Sequence, residues 1–177
     1  MLASFKTQIL SDGKLFNHVN IIISWQNIDQ ERVSRKFKKA DEKTQFDNVV
    51  VYSANIDMRK NILDKHELHY GLEGSFNDVQ STARTTDIFT GVKSPSSTRY
   101  PDGGSSMSTA SAYFSHSWEL SKKYILTDGI RFNHVELRSE WKDTLLFHFP
   151  FSSAEQKNNA LNGSLGFVAM PGKGWRF

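Results

Sequence analysis

No cysteine occurs anywhere in the 177 residues. Disulfides and thiolate metal sites are therefore excluded. Long apolar runs are missing as well. The longest purely aliphatic one, Ile21-Ile22-Ile23, falls far short of the ~20 residues a spanning helix requires. With 38% hydrophobic residues and a mean hydropathy of −0.50, the chain hides no helical membrane bundle. The opening M-L-A-S-F-K-T-Q-I-L-S-D-G-K has no basic segment followed by an apolar stretch, so it does not read as a secretion signal. Strong charge of one sign is lacking too. The net charge is +3, and the densest basic stretch, R-K-F-K-K at 35–39, reads as a solvated strand end, so no nucleic-acid partner is expected.

What is present is alternation. In K-H-E-L-H-Y-G-L-E-G-S-F-N (65–77), Leu68, Tyr70, Leu72, Gly74 and Phe76 are apolar or small, and the residues between them are polar or glycine. Successive side chains leave a strand on opposite faces, so period two predicts a strand with one greasy face. Similar patterns predict strands over 2–10, 16–37, 47–59, 107–120, 124–138 and 161–169. In the second, Val19, Ile21, Ile23 and Trp25 share a parity. In the third, Val50, Tyr52, Ala54, Ile56 and Met58 oppose Ser53, Asn55 and Asp57. Such strands either pack greasy faces together in a soluble sandwich or turn them outward to lipid around a wet lumen.

The connections favour the second arrangement. Those near 11–14, 61–65, 121–123 and 171–174 are short, while 78–106 and 139–158 are long, and the shorter 38–46 falls on the long side. In a meander, alternate connections emerge at the same end. One end then carries tight turns and the other the large loops, as in outer-membrane barrels. A spanning strand needs only ~9–11 residues, which hydropathy averages miss. The expected fold is thus all-β: an antiparallel up-and-down meander of about six to eight long strands, an incomplete section of a large transmembrane barrel.

Several stretches carry a more specific likeness. They are H-E-L-H-Y-G-L-E-G-S-F-N-D-V (66–79), T-R-Y-P-D-G-G-S (98–105), Y-I-L-T-D-G-I-R-F-N (124–133), and L-N-G-S-L-G-F with P-G-K-G-W-R-F between 161 and 177. Together they resemble the barrel of a TonB-dependent outer-membrane receptor of the branch that imports haem or siderophore iron carriers. Gly129, Ile130, Arg131, Phe132 and Asn133 match that family's G-x-R-aromatic-N element. The resemblance implies an outer-membrane location in a Gram-negative bacterium, lipid around the wall, and an iron carrier or similar small nutrient as ligand. TonB would be engaged only through regions outside this text. Residues 1–177 correspond to part of the barrel domain, without the family's signal peptide, plug domain or TonB box. Trp175 and Phe177 read as the start of a further strand after the P-G-K-G turn, which argues against a complete small barrel. A soluble all-β binding module and a non-functional gene remnant are the alternatives.

No catalytic chemistry is expected. In H-E-L-H, His66 and His69 are three apart on a strand and point to opposite faces, whereas a zincin needs histidines four apart on a helix. P-D-G-G-S-S and P-G-K-G lack P-loop spacing, and N-G-S-L-G is not a nucleophile elbow. No metal site and no cofactor is expected. Ligand contact is expected in the long loops. Arg84, Arg99, Tyr100 and Asp102 are the candidates in the first, since an aromatic beside a guanidinium suits a planar or carboxylated ligand. His148, in F-H-F-P of the second, would reach haem iron in a haem receptor. Three residues break the greasy parity: His116, Asp128 and His134.

Overall fold

Leu2–Leu10 (β1), His18–Arg35 (β2), Asp41–Ile62 (β3), His66–Asp87 (β4), Lys93–Pro95 (β5), Gly104–Ser121 (β6), Tyr124–Glu140 (β7) and Ser153–Ala169 (β8) form one antiparallel sheet in a computed structural model of the chain. The structure describes residues 1–143 and 146–170. Strands follow one another in the order β1-β2-β3-β4-β6-β7-β8, and β5 pairs with the far end of β4. This is the predicted meander. The expected turn at 171–174, and the further strand expected to start at Trp175 and Phe177, lie outside the described residues.

The strands outrun their sequence boundaries at the long-loop end. Asp78–Asp87, expected as loop, continues β4 because Asp41–Val50 of β3 pairs with it residue for residue. The first long loop thus shrinks to 88–103, the second to 141–152, and the connection near 38–46 to 36–40. Polar side chains hid these extensions, because above the greasy segment both faces of the sheet meet water. At the other end, the β3–β4 turn places Leu63 (φ 52°) and Asp64 (φ 54°) in the left-handed region, as a tight hairpin turn requires.

No second layer covers either face. Val19 is the only buried hydrophobic among the described residues, whereas Leu72, Ile130 and Leu165 are 55%, 51% and 79% exposed. A soluble sandwich would seal these side chains between sheets. Register places them on one face, with rows such as Ile21–Ile56–Leu72–Ala112–Phe132–Leu161 running across the strands.

The greasy face is a band, and the band is oblique. On β3 it runs from Val50 to Met58, nine residues. At a tilt of ~40°, nine residues span roughly 23 Å, close to the ~25 Å apolar belt of a membrane barrel. Its midpoint, Ala54, lies in register with Asn159 of β8 through Gly74, Ala110 and His134. On β8, however, the greasy residues run from Leu161 to Ala169 and centre on Leu165, six positions nearer the tight turns (165 − 159). Strands ~4.8 Å apart and tilted ~35–45° displace a membrane-parallel band by about four to six residues over four steps. The observed slope is that of a tilted wall.

Candidate functional site

On the face opposite the greasy band, the middle strands carry a connected polar network. Tyr113 of β6 lies across Gly71 of β4, and its hydroxyl donates to Asp57 Oδ1 of β3 at 2.5 Å. Only glycine leaves room for that ring, since a Cβ at position 71 would stand 2.7 Å from Tyr113 Cε1. The Arg131 guanidinium, 5.9 Å from the Tyr113 ring centroid, pairs with Glu73 and donates from Nε to Asn133 Oδ1 at 2.8 Å. Ser111 Oγ donates to the same oxygen at 3.0 Å. Glu73, Ser111, Arg131 and Asn133 line an open depression of about 460 Å³ with Ser53, Asn55 and Thr109. The alternation in G-I-R-F-N is thereby explained: Ile130 and Phe132 face the greasy side, and Arg131 and Asn133 the polar one.

At the long-loop end, the structure separates the predicted ligand residues. Arg84 lies on the greasy-parity face beside Thr44, Phe46 and Thr82, in an open depression of about 400 Å³. Arg99 folds onto the other face, where its Nη1 stands 3.4 Å from Asp47 Oδ2 and donates to Gln30 Oε1 at 3.2 Å. Asp47 is only 3% exposed and accepts a 2.5 Å bond from Ser81 Oγ. Tyr100 sits under the same guanidinium, 5.8 Å from ring centroid to Cζ. Asp102 accepts from the backbone N–H of Lys142 (2.9 Å) and Asp143 (2.8 Å), clasping the first long loop to the second. His148 is exposed in that second loop. Arg99 and Tyr100 are thus brought together on one side and Asp102 is tied to the second loop, whereas Arg84 is on the other face.

The Arg99–Asp47 pair anchors the loop. Arg99→Ala strips a nearly buried carboxylate of its charge partner and is expected to destabilise this end by about 1–2 kcal/mol, half-exposure of the arginine limiting the effect. Faster proteolysis within 96–103, with the strand region unchanged, is the measurement that checks it.

Two features have no counterpart in the sequence reading. Trp141, Phe147, Phe149 and Phe151 form an aromatic cluster in the second loop, with Phe149 and Phe151 stacked at 5.4 Å and Trp141 edge-on to both. The alternating F-H-F-P-F was its visible signal. The other is Asp47, whose burial depends on the loop folded over it.

Two carboxylates at this end are held by local donors. The backbone N–H groups of Thr90 and Phe89, each 2.9 Å from Asp87 Oδ1, hold the Asp87 carboxyl below the usual range in the β4–β5 turn. Lys157, 2.6 Å away, does the same for Glu155 at the loop end of β8. Among the described residues, no group of three or more His, Asp or Glu is arranged to hold a metal ion. His66 and His69 do face opposite sides: His66 meets His116, and His69 pairs with Glu67.

No protein-family model matches the sequence, and no curated protein does. Solved structures match by shape. The copper transporter OprC superposes with a TM-score of 0.81 at 10% identity, over 97% of this chain and 28% of that one. The ferric citrate transporter FecA in its unliganded form gives 0.68 at 16% identity, over 99% and 25%. The ferric yersiniabactin uptake receptor FyuA from Yersinia pestis gives 0.63 at 17% identity, over 90% and 24%. The chain thus spans about a quarter of the length of each of these proteins. With the single open layer, the oblique greasy band and the two-ended connections, these matches establish the architecture: the chain has the fold of a section of the barrel wall of TonB-dependent outer-membrane receptors.

Proposed function

We propose that this chain forms part of the wall and outer ligand loops of an outer-membrane transporter for small metal carriers, iron carriers foremost. The oblique band of exposed apolar side chains supports the reading most directly, because it has the height and slope of a bilayer crossed by tilted strands. Backbone groups cannot stay unpaired in hydrocarbon, so in a membrane the outer edges of β1 and β8 must pair with further strands. The polar face then lines the lumen, and the long loops point outward. Support for a planar, anionic carrier comes from the Tyr100 ring under the Arg99 guanidinium and the exposed rings beside His148, which offer stacking and charge.

Depth-resolved fluorescence tests the membrane placement. In single-tryptophan variants in brominated-lipid micelles, Trp25 and Trp118, on the greasy parity, are expected to be quenched strongly, and Trp141 at the loop end weakly. Equal quenching of all three, or a monomer that unfolds cooperatively in detergent-free buffer, would refute it.

A further inference from the structure

The residues that break the greasy parity do not stand alone. Asp128 of β7 and His116 of β6 are direct cross-strand neighbours, with Asp128 Oδ1 3.0 Å from His116 Nδ1. On the other side of that ring, His116 Nε2 lies 2.9 Å from His66 Nδ1 of β4. The two imidazole planes are within 9° of parallel, with centroids 5.2 Å apart. Face-to-face rings cannot approach closer than ~3.5 Å. A 2.9 Å nitrogen separation therefore places the rings end to end in nearly one plane. Their facing nitrogens lie on one line, one donating and the other accepting according to the tautomer. Trp118 packs against His66 at 5.3 Å, and the flanking positions on this face are Leu68, Phe114, Leu126 and Ile130.

We propose that this Asp128–His116–His66 chain is a two-coordinate site for a soft monovalent metal ion, copper(I) or silver(I), held between His116 Nε2 and His66 Nδ1. Direction comes first. Two imidazole nitrogens facing each other along one line suit linear coordination once the proton between them has left, and a modest separation of the rings admits the ion in its place. Ligand count comes second. Among the described residues no third His, Asp or Glu converges on the two facing nitrogens, Asp128 standing behind His116, so an ion demanding tetrahedral or octahedral ligation, such as zinc or magnesium, is left incomplete. Charge comes third. With both rings neutral, the group carries the single negative charge of Asp128. Binding one monovalent cation moves the His66 proton from Nδ1 to its own Nε2, releases none, and brings the group to zero net charge. In apolar surroundings that neutral state is favoured. Asp128 acts on the metal through His116, fixing its tautomer and ring plane, the usual role of a carboxylate behind a metal-binding histidine. His66 follows directly on the 63–65 turn, which gives the ion an aqueous approach.

Silver(I), which does not change oxidation state, is the probe. The full chain in detergent micelles and chloride-free buffer is dialysed against silver nitrate, with bound metal and histidine side-chain nitrogen resonances as readouts. One ion per chain is expected, shifting the resonances of His66 Nδ1 and His116 Nε2. His66→Ala and His116→Ala should abolish that ion, and Asp128→Asn should weaken it about ten- to a hundred-fold. His134→Ala, on the same face but bonded to Asn159, should leave it intact. If His116→Ala loses its strand spectrum, His66→Phe serves instead, since it keeps a ring against Trp118. The methionines, as thioethers, are competing soft ligands. Silver retained undiminished in the histidine variants, or zinc bound as tightly as silver, overturns the proposal.

Discussion

Replacing Gly71 by alanine lowers stability by on the order of 3 kcal/mol, far more than a methyl group usually costs on a solvated strand. The reason is one row of the sheet. Asp57, Gly71 and Tyr113 are in register on three successive strands, and Tyr113 reaches over the middle one to Asp57. A Cβ at position 71 overlaps the Ile56 carbonyl oxygen and stands 2.8 Å from the Tyr113 hydroxyl. The ring must leave, and Asp57 loses its donor. Tyr113→Phe alone removes only the hydrogen bond and is expected to cost about half as much. Combining Gly71→Ala with Tyr113→Ala relieves the ring but not the carbonyl, so stability is only partly regained. Denaturant unfolding in detergent measures all three, and a Gly71→Ala chain as stable as the parent would show that Tyr113 does not hold this position.

The two faces are expected to answer oppositely to the same side chain. Leu72 stands at the centre of the greasy segment of β4, over half exposed. On the proposed membrane placement, Leu72→Arg puts a guanidinium in the middle of the hydrocarbon and is expected to cost about 2–4 kcal/mol in lipid. Asn55 faces the polar depression beside Glu73, its direct cross-strand neighbour. Asn55→Arg gains an opposite charge there and is expected to change stability by less than about 1 kcal/mol. The contrast belongs to the bilayer. In aqueous buffer an exposed leucine gains solubility from becoming arginine, so equal effects of the two substitutions in lipid would deny that Leu72 meets acyl chains.

Much of the wall was legible because strand periodicity is a local property. Leu68 to Phe76 and Val50 to Met58 announce their faces without knowledge of any neighbour, and the tight turns between them fix a sequential meander. The parity exceptions were legible too, but their meaning was not. His116 and Asp128 are twelve residues apart, and His66 is fifty from His116. Only register across three strands shows that they share one line of hydrogen bonds. The loop candidates divide for the same reason. Arg99 and Asp102 read as free charges along the chain, yet Asp47 and the Lys142–Asp143 backbone, brought near by folding, occupy both.

By itself, then, the order of residues determined the strands, their two faces and their sequence of pairing, because each depends on neighbours within a few positions. Tertiary structure alone decided how far the strands run beyond the greasy segment, the slope of the band, and which polar groups meet. Those depend on the stagger between strands, a quantity that no single strand contains.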